Sequence, residues 1–113
     1  MHEYSITESV LMLALEKAKE ANASKITRIN LVVGDLSGVV ADCVRFYFEH
    51  ISKDTMASEA ELVFATVGTK LRCRNCNHDF TPEGLDWLCP DCHEGGVEIT
   101  SGRECYMESI EVE

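Results

Sequence analysis

The sequence predicts an α+β protein: a small mixed sheet of about three strands with two helices, carrying an inserted lobe of zinc-ribbon type. Three observations carry that expectation. Apolar residues recur at helical spacing in two stretches of the first half, and at period two near residues 25–33, 60–67 and 104–112. Two C-x-x-C pairs, Cys73-Arg74-Asn75-Cys76 and Cys89-Pro90-Asp91-Cys92, stand twelve residues apart.

The first helix is expected over residues 5–22, where Ser5 with Glu8 three positions on reads as a capping box and Ile6, Val10, Leu13 and Ala14 mark one face. Asn22-Ala23-Ser24 is its exit. From Lys25 the period becomes two, with Ile29, Leu31 and Val33 alternating against Arg28, Asn30 and Val32, and Gly34-Asp35-Leu36-Ser37-Gly38 closes that strand. A second helix is expected over 39–53, with Val40, Cys43, Val44, Tyr47, Phe48 and Ile51 inward and His50 capping its end. Residues 60–67 return to strand character, and 104–112 form a last strand that crosses back to the first sheet. The expected division is therefore one α/β domain from 1–69 and 103–113, with residues 70–102 as a metal-binding domain inserted between two strands.

Each C-x-x-C turn brings two thiolates onto one ion, and two such turns build a closed tetrahedral S₄ shell around structural zinc. Two disulfides, or a redox pair, are the alternatives; a redox pair needs only one such turn, at a helix start inside a βαβ unit. Iron in a rubredoxin-like centre is the competing metal. His78 and His93 sit just past the second and fourth cysteines, where each could orient a thiolate, replace one, or face solvent. Phe80, Leu85, Trp87 and Leu88 are the only large apolar residues between the pairs, too few for a core without metal. Cys43 and Cys105 read as reduced, buried thiols.

Ten Lys+Arg against 20 Asp+Glu leave a formal charge of −10, and Lys70, Arg72 and Arg74 beside the cysteines offset part of what a tetrathiolate adds. Such a surface repels phosphates, which excludes nucleic acid as a partner and leaves a basic protein partner open. The start Met1-His2-Glu3-Tyr4-Ser5 has neither the basic nor the apolar region of a signal peptide, and no apolar run is long enough to span a bilayer, so a cytoplasmic location is expected. No nucleophile–base motif, phosphate loop or open three-ligand metal site supports an enzyme.

Met1-His2-Glu3 forms a second candidate metal site. A second-position histidine as bulky as His2 leaves Met1 in place, so the terminal amine, the deprotonated His2 amide and the His2 ring can form adjacent chelate rings. In-plane nitrogen donors favour Ni(II) or Cu(II) over zinc, with Glu3 completing or flanking the set. Together with Gly34-Asp35-Leu36-Ser37-Gly38-Val39, the two cysteine pairs and the closing Glu108-Ser109-Ile110-Glu111-Val112, this start resembles the HypA/HybF family of hydrogenase nickel-incorporation proteins over essentially the whole chain. The resemblance implies a nickel metallochaperone that carries exchangeable Ni²⁺ on Met1, His2 and Glu3 and holds one structural Zn²⁺ on Cys73, Cys76, Cys89 and Cys92. It also implies work with the GTPase HypB to load the large subunit of [NiFe]-hydrogenase, and it leaves a homodimer open. Some relatives use histidines flanking the cysteines as alternative zinc ligands, and His78 and His93 match those places, which makes them possible secondary zinc or nickel ligands. The competing expectation is a zinc-ribbon adaptor that binds proteins and transfers no nickel.

Overall fold

The computed structural model describes residues 2–113. In chain order the elements are α1 (Glu3–Glu20), β1 (Ile26–Gly34), α2 (Ala41–Ile51), β2 (Glu61–Val67), β3 (Lys70–Cys73), β4 (Asp79–Phe80), β5 (Val97–Ser101) and β6 (Cys105–Val112). Two three-stranded sheets result, ordered β2-β1-β6 and β4-β3-β5, so the α+β expectation holds.

The first sheet is mixed. Gly34 N–H bonds the Glu104 carbonyl (2.7 Å) and Glu113 N–H bonds the Lys25 carbonyl (2.8 Å), so β1 and β6 run antiparallel. Along β1 and β2 the numbering rises together: Arg28 meets Glu61 at one end, and Asp35 N–H bonds the Val67 carbonyl (2.9 Å) at the other. Parallel neighbours need a crossover, and α2 supplies it. Helix α1 packs against α2 and β6, and the core gathers Val10, Leu11, Ala14, Ala18, Ile26, Ile29, Leu31, Val44, Phe48 and Leu62. The two faces of β1 differ only in its middle: Ile29 and Leu31 are buried in that core while Arg28 reaches Glu61 (3.1 Å) and Glu111 (3.0 Å), but Ile26 and Val32, on the parity of Arg28, are buried too.

Helix α1 starts two residues before its expected position, with His2 as N-cap, and no capping box forms. The reason is local: the Ser5 hydroxyl donates to the His2 carbonyl (3.0 Å) instead of accepting from the helix start, and Ile6 N–H bonds the same carbonyl (2.9 Å). The far end follows expectation. Asn22 takes φ 55°, Ala23 N–H bonds the Ala18 carbonyl (3.0 Å) and Asn22 N–H the Lys19 carbonyl (3.1 Å), a Schellman closure.

Two further expectations fail. Cys43 and Cys105 are exposed, because α2 buries only the stripe carrying Val44 and Phe48, and β6 lies at the edge of its sheet. Arg72 is not left to balance thiolates: it pairs with Asp79 (2.8 Å) and Glu98 (3.8 Å) across β4 and β5, and Asp79 beside it raises the guanidinium's pKa further.

The chain divides into two compact units. The first comprises Met1–Val32, Gly38–Ala65 and Cys105–Glu113; the second comprises Val33–Ser37 and Thr66–Glu104. The turn after β1 therefore clusters with the cysteine-bearing segment, which is larger than residues 70–102. Its hydrogen bonds explain why, since Gly34, Asp35 and Leu36 donate to Glu104, Val67 and Gly102 respectively. No helix among the described residues is long and apolar enough to cross a membrane.

Candidate metal centre

The second unit has almost no apolar core. Leu71, Cys73 and Cys89 are fully buried, whereas Leu85 is entirely exposed (101%) and Leu88 half exposed. Strand β3 places Cys73 at its end, in antiparallel register with Val97 of β5. Two turns then repeat one geometry. Asn77 N–H returns to the Cys73 carbonyl (2.8 Å) and Cys73 N–H bonds the His78 carbonyl (2.9 Å); His93 N–H returns to the Cys89 carbonyl (2.8 Å) and Cys89 N–H bonds the Glu94 carbonyl (3.0 Å). The residue after each second cysteine, Asn77 or His93, takes φ 60°. That left-handed step curls the chain back so that both sulfurs of a pair point to one centre.

The result is a cluster in which the ligand atoms of Cys73, Cys76, Cys89 and Cys92 all lie within 4.8 Å of one another. Sulfurs from opposite turns lie 3.5 Å apart for Cys73–Cys92 and 3.6 Å apart for Cys76–Cys89. A tetrahedral ion with metal–sulfur bonds of about 2.3 Å separates its sulfurs by about 3.8 Å, so the donor set fits a zinc-like ion. Backbone amides favour thiolate: the N–H of Glu94 and the Asn75 side chain draw Cys92 down to about 7 against the cost of burial. At Cys76 the His78 N–H acts the same way, but burial and hydrogen bonding with Cys89, Cys73 and Cys92 push the thiol up to about 12. Four thiols cannot all ionise at this spacing without a cation, and a divalent ion held there would supply the missing charge.

His78 and His93 stand outside this cluster. The His78 Nδ1 lies 3.2 Å from Asp91 and its ring stacks at 8° on Phe80, while His93 holds the left-handed position of the second turn and lines a cavity of about 380 Å³ with Phe80, Pro82 and Leu88. Sequence reasoning missed Asn75 as a thiolate partner, although its place inside the first C-x-x-C pair was the available signal.

At the other candidate site, Met1 lies outside the described residues. His2 is exposed and ends the chain's approach to α1, its carbonyl held by Ser5 and Ile6. Glu3 is buried (6% exposed), and its Oε2 accepts from the Val40 N–H at 3.3 Å.

Fold and cluster together define a small metal-binding protein in which an α+β unit is joined to a four-cysteine, zinc-ribbon-like lobe. The family whose sequence profile matches residues 1–112 is described as "Hydrogenase/urease nickel incorporation, metallochaperone, hypA". This chain is 47% identical over 114 residues to hydrogenase maturation factor HypA of Dehalococcoides mccartyi, covering all of this chain and 95% of that protein. It is 38% identical over 114 residues to the protein of that name from Caldanaerobacter subterraneus, with full coverage of both. A solution structure of the nickel metallochaperone HypA from Helicobacter pylori aligns with TM-score 0.69 at 33% identity, covering 99% of this chain and 97% of that one; a second HypA solution structure gives 0.77 at 33% identity, covering 99% and 96%. The chain belongs to the HypA family of nickel-incorporation metallochaperones, whose curated relatives are hydrogenase maturation factors.

Proposed function

We propose that this protein is a cytoplasmic nickel carrier: it binds Ni(II) through Met1, His2 and Glu3 in the first unit, and its four cysteines hold one structural zinc in the second. It passes nickel, with the GTPase HypB, to the large subunit of [NiFe]-hydrogenase. The observation that carries the reading is the position of His2 as the exposed N-cap of α1. Coordination through a main-chain amide requires that amide to lose its proton, which inside a helix would sacrifice a hydrogen bond. The N–H of an N-cap residue lies outside the intrahelical ladder, so the His2 amide can deprotonate without breaking any i→i−4 bond. The positive end of the α1 dipole favours the resulting anion.

Zinc at the four thiolates supplies charge neutralisation and a cross-link between the two turns. The closed sulfur shell cannot release its ion without undoing the lobe, whereas a terminal nitrogen site is dismantled by ligand exchange, as a carrier without turnover chemistry requires. Native mass spectrometry tests the division. The expected result is one retained zinc and one exchangeable nickel per chain, with His2→Ala losing nickel and keeping zinc. Zinc alone, in the unaltered chain, would replace the carrier with a protein-binding adaptor.

A further inference from the structure

We propose that the cavity beside the second cysteine turn is a docking groove for an extended, basic segment of a partner protein. An apolar side chain of that segment lies against Phe80, Pro82 and Leu88, and a Lys or Arg next to it meets Glu83 and Asp86. The proposal concerns the second unit alone and does not depend on nickel binding in the first.

The segment between the two cysteine pairs is shaped by one tight turn. Asp86 N–H bonds the Glu83 carbonyl (3.0 Å), and the two residues face each other as an antiparallel bridge. The Asp86 carboxylate then accepts from the Leu88 N–H (3.1 Å), which sets the exit of the turn as well. Leu85 is left fully exposed at the tip and Leu88 half exposed, so two large apolar side chains stay in water where burial would stabilise them. Leu88 also lines the cavity of about 380 Å³, together with Phe80, Pro82 and the buried Cys89. That volume is at the small end of ligand pockets, about 300–1,000 Å³. Leu85 is not part of the lining, so apolar surface continues past the cavity, and a ligand that covers both is longer than a single side chain.

Charge decides the kind of segment. Glu83 and Asp86 both line the cavity, and no Lys or Arg does. Elsewhere in this unit carboxylates meet cationic or titratable partners: Asp79 and Glu98 pair with Arg72, and Asp91 lies 3.2 Å from His78. Among the described residues Glu83 and Asp86 make no such pair, and Lys70, which reaches the rim, donates to the Thr81 hydroxyl (3.1 Å). Two carboxylates without a cation beside an apolar wall complement a basic side chain next to an apolar one. A second copy of this acidic chain would bring further carboxylates against them, and nucleic acid would meet the same repulsion.

Amide chemical shifts of the full chain are followed by nuclear magnetic resonance while a short peptide of alternating leucine and arginine is added. Docking predicts shifts concentrated at residues 80–93, with a Kd below about 1 mM. Glutamate in place of the peptide's arginine, or serine in place of its leucine, should each weaken binding about tenfold. On the protein, Asp86→Asn keeps an oxygen for the Leu88 N–H, and Leu85→Ser removes a side chain that packs on nothing, so the turn survives both; zinc content and circular dichroism check this. Glu83→Gln combined with Asp86→Asn should weaken the peptide about fivefold, and Leu85→Ser about as much. The control is Glu16→Gln combined with Glu20→Gln, which removes two exposed carboxylates of α1 and should leave binding unchanged. Equal losses in the two double variants show attraction to net charge only and overturn the proposal. So does an absence of shifts up to about 2 mM peptide, or equal binding of the arginine and glutamate peptides. A concentration-dependent dimer in analytical ultracentrifugation that Leu85→Ser abolishes makes a second copy the occupant, and overturns it as well.

Discussion

At the scale of single residues, close backbone approach is the most demanding feature of the second unit. A Cβ on Gly34 would be driven into the Gly102 carbonyl and would meet the Arg103 nitrogen at 2.8 Å, and Gly102 itself sits at φ 115°. Neither neighbour is a side chain that could swing away, so the backbone would have to part. Gly34→Ala should destabilise that unit by about 2 kcal/mol, the range of an overpacked site. The measurement is cobalt or zinc retention against a competing chelator, with the far-ultraviolet signal of α1 and α2 largely unchanged. Arg72 illustrates the contrary case. Its pairs with Asp79 and Glu98 are half exposed, so solvent screens them and each adds little to stability. Asp79 is held below the usual carboxylate range by Arg72, so whatever stability the pair adds is present above the unfolded value and is lost as pH falls through the lowered one.

At the scale of elements, α1 is held at both ends by devices of different reach. Its carboxyl end is closed by hydrogen bonds among neighbours in sequence, while its first turn is set by His2, Ser5 and the buried Thr7 hydroxyl on the Glu3 carbonyl. Thr7→Val keeps the volume but removes that donor, and should cost about 1 kcal/mol in urea unfolding. The two cysteine turns are closed by bonds spanning four or five residues, so each forms wherever its short segment is free to curl. Four cysteines with that spacing, and the helical and strand periods of the first unit, are accordingly legible in the sequence. The start of α1 is not, because a serine three residues from a glutamate can spend its hydroxyl on the preceding carbonyl as readily as on a helix amide.

At the scale of the whole molecule, the two units obtain their stability from different sources. The first buries an apolar cluster between two helices and a sheet; the second has Leu71 and two cysteines as its fully buried side chains, so an ion held by the four cysteines would supply cohesion that its apolar residues do not. Cys76→Ser, or exhaustive chelation, should therefore melt the second unit and leave the helical signal of the first. Loss of both signals together would show that the units fold as one. Acidification should act in the same direction as chelation, since protons compete with a metal for the thiolates.

The spacing of Cys73, Cys76, Cys89 and Cys92, the acidic surface and the alternation of helix and strand are properties of short stretches, and the sequence by itself determined them. The bond from Val40 to Glu3, the contact of Gly34 with Gly102, the inclusion of Val33–Ser37 in the second unit and the exposure of Cys43 and Cys105 were decided only by tertiary structure. The physical reason is range. A turn or a helical stripe is set by neighbours a few residues away, whereas a bond across thirty-seven residues depends on where the intervening strand and turn lay the chain down.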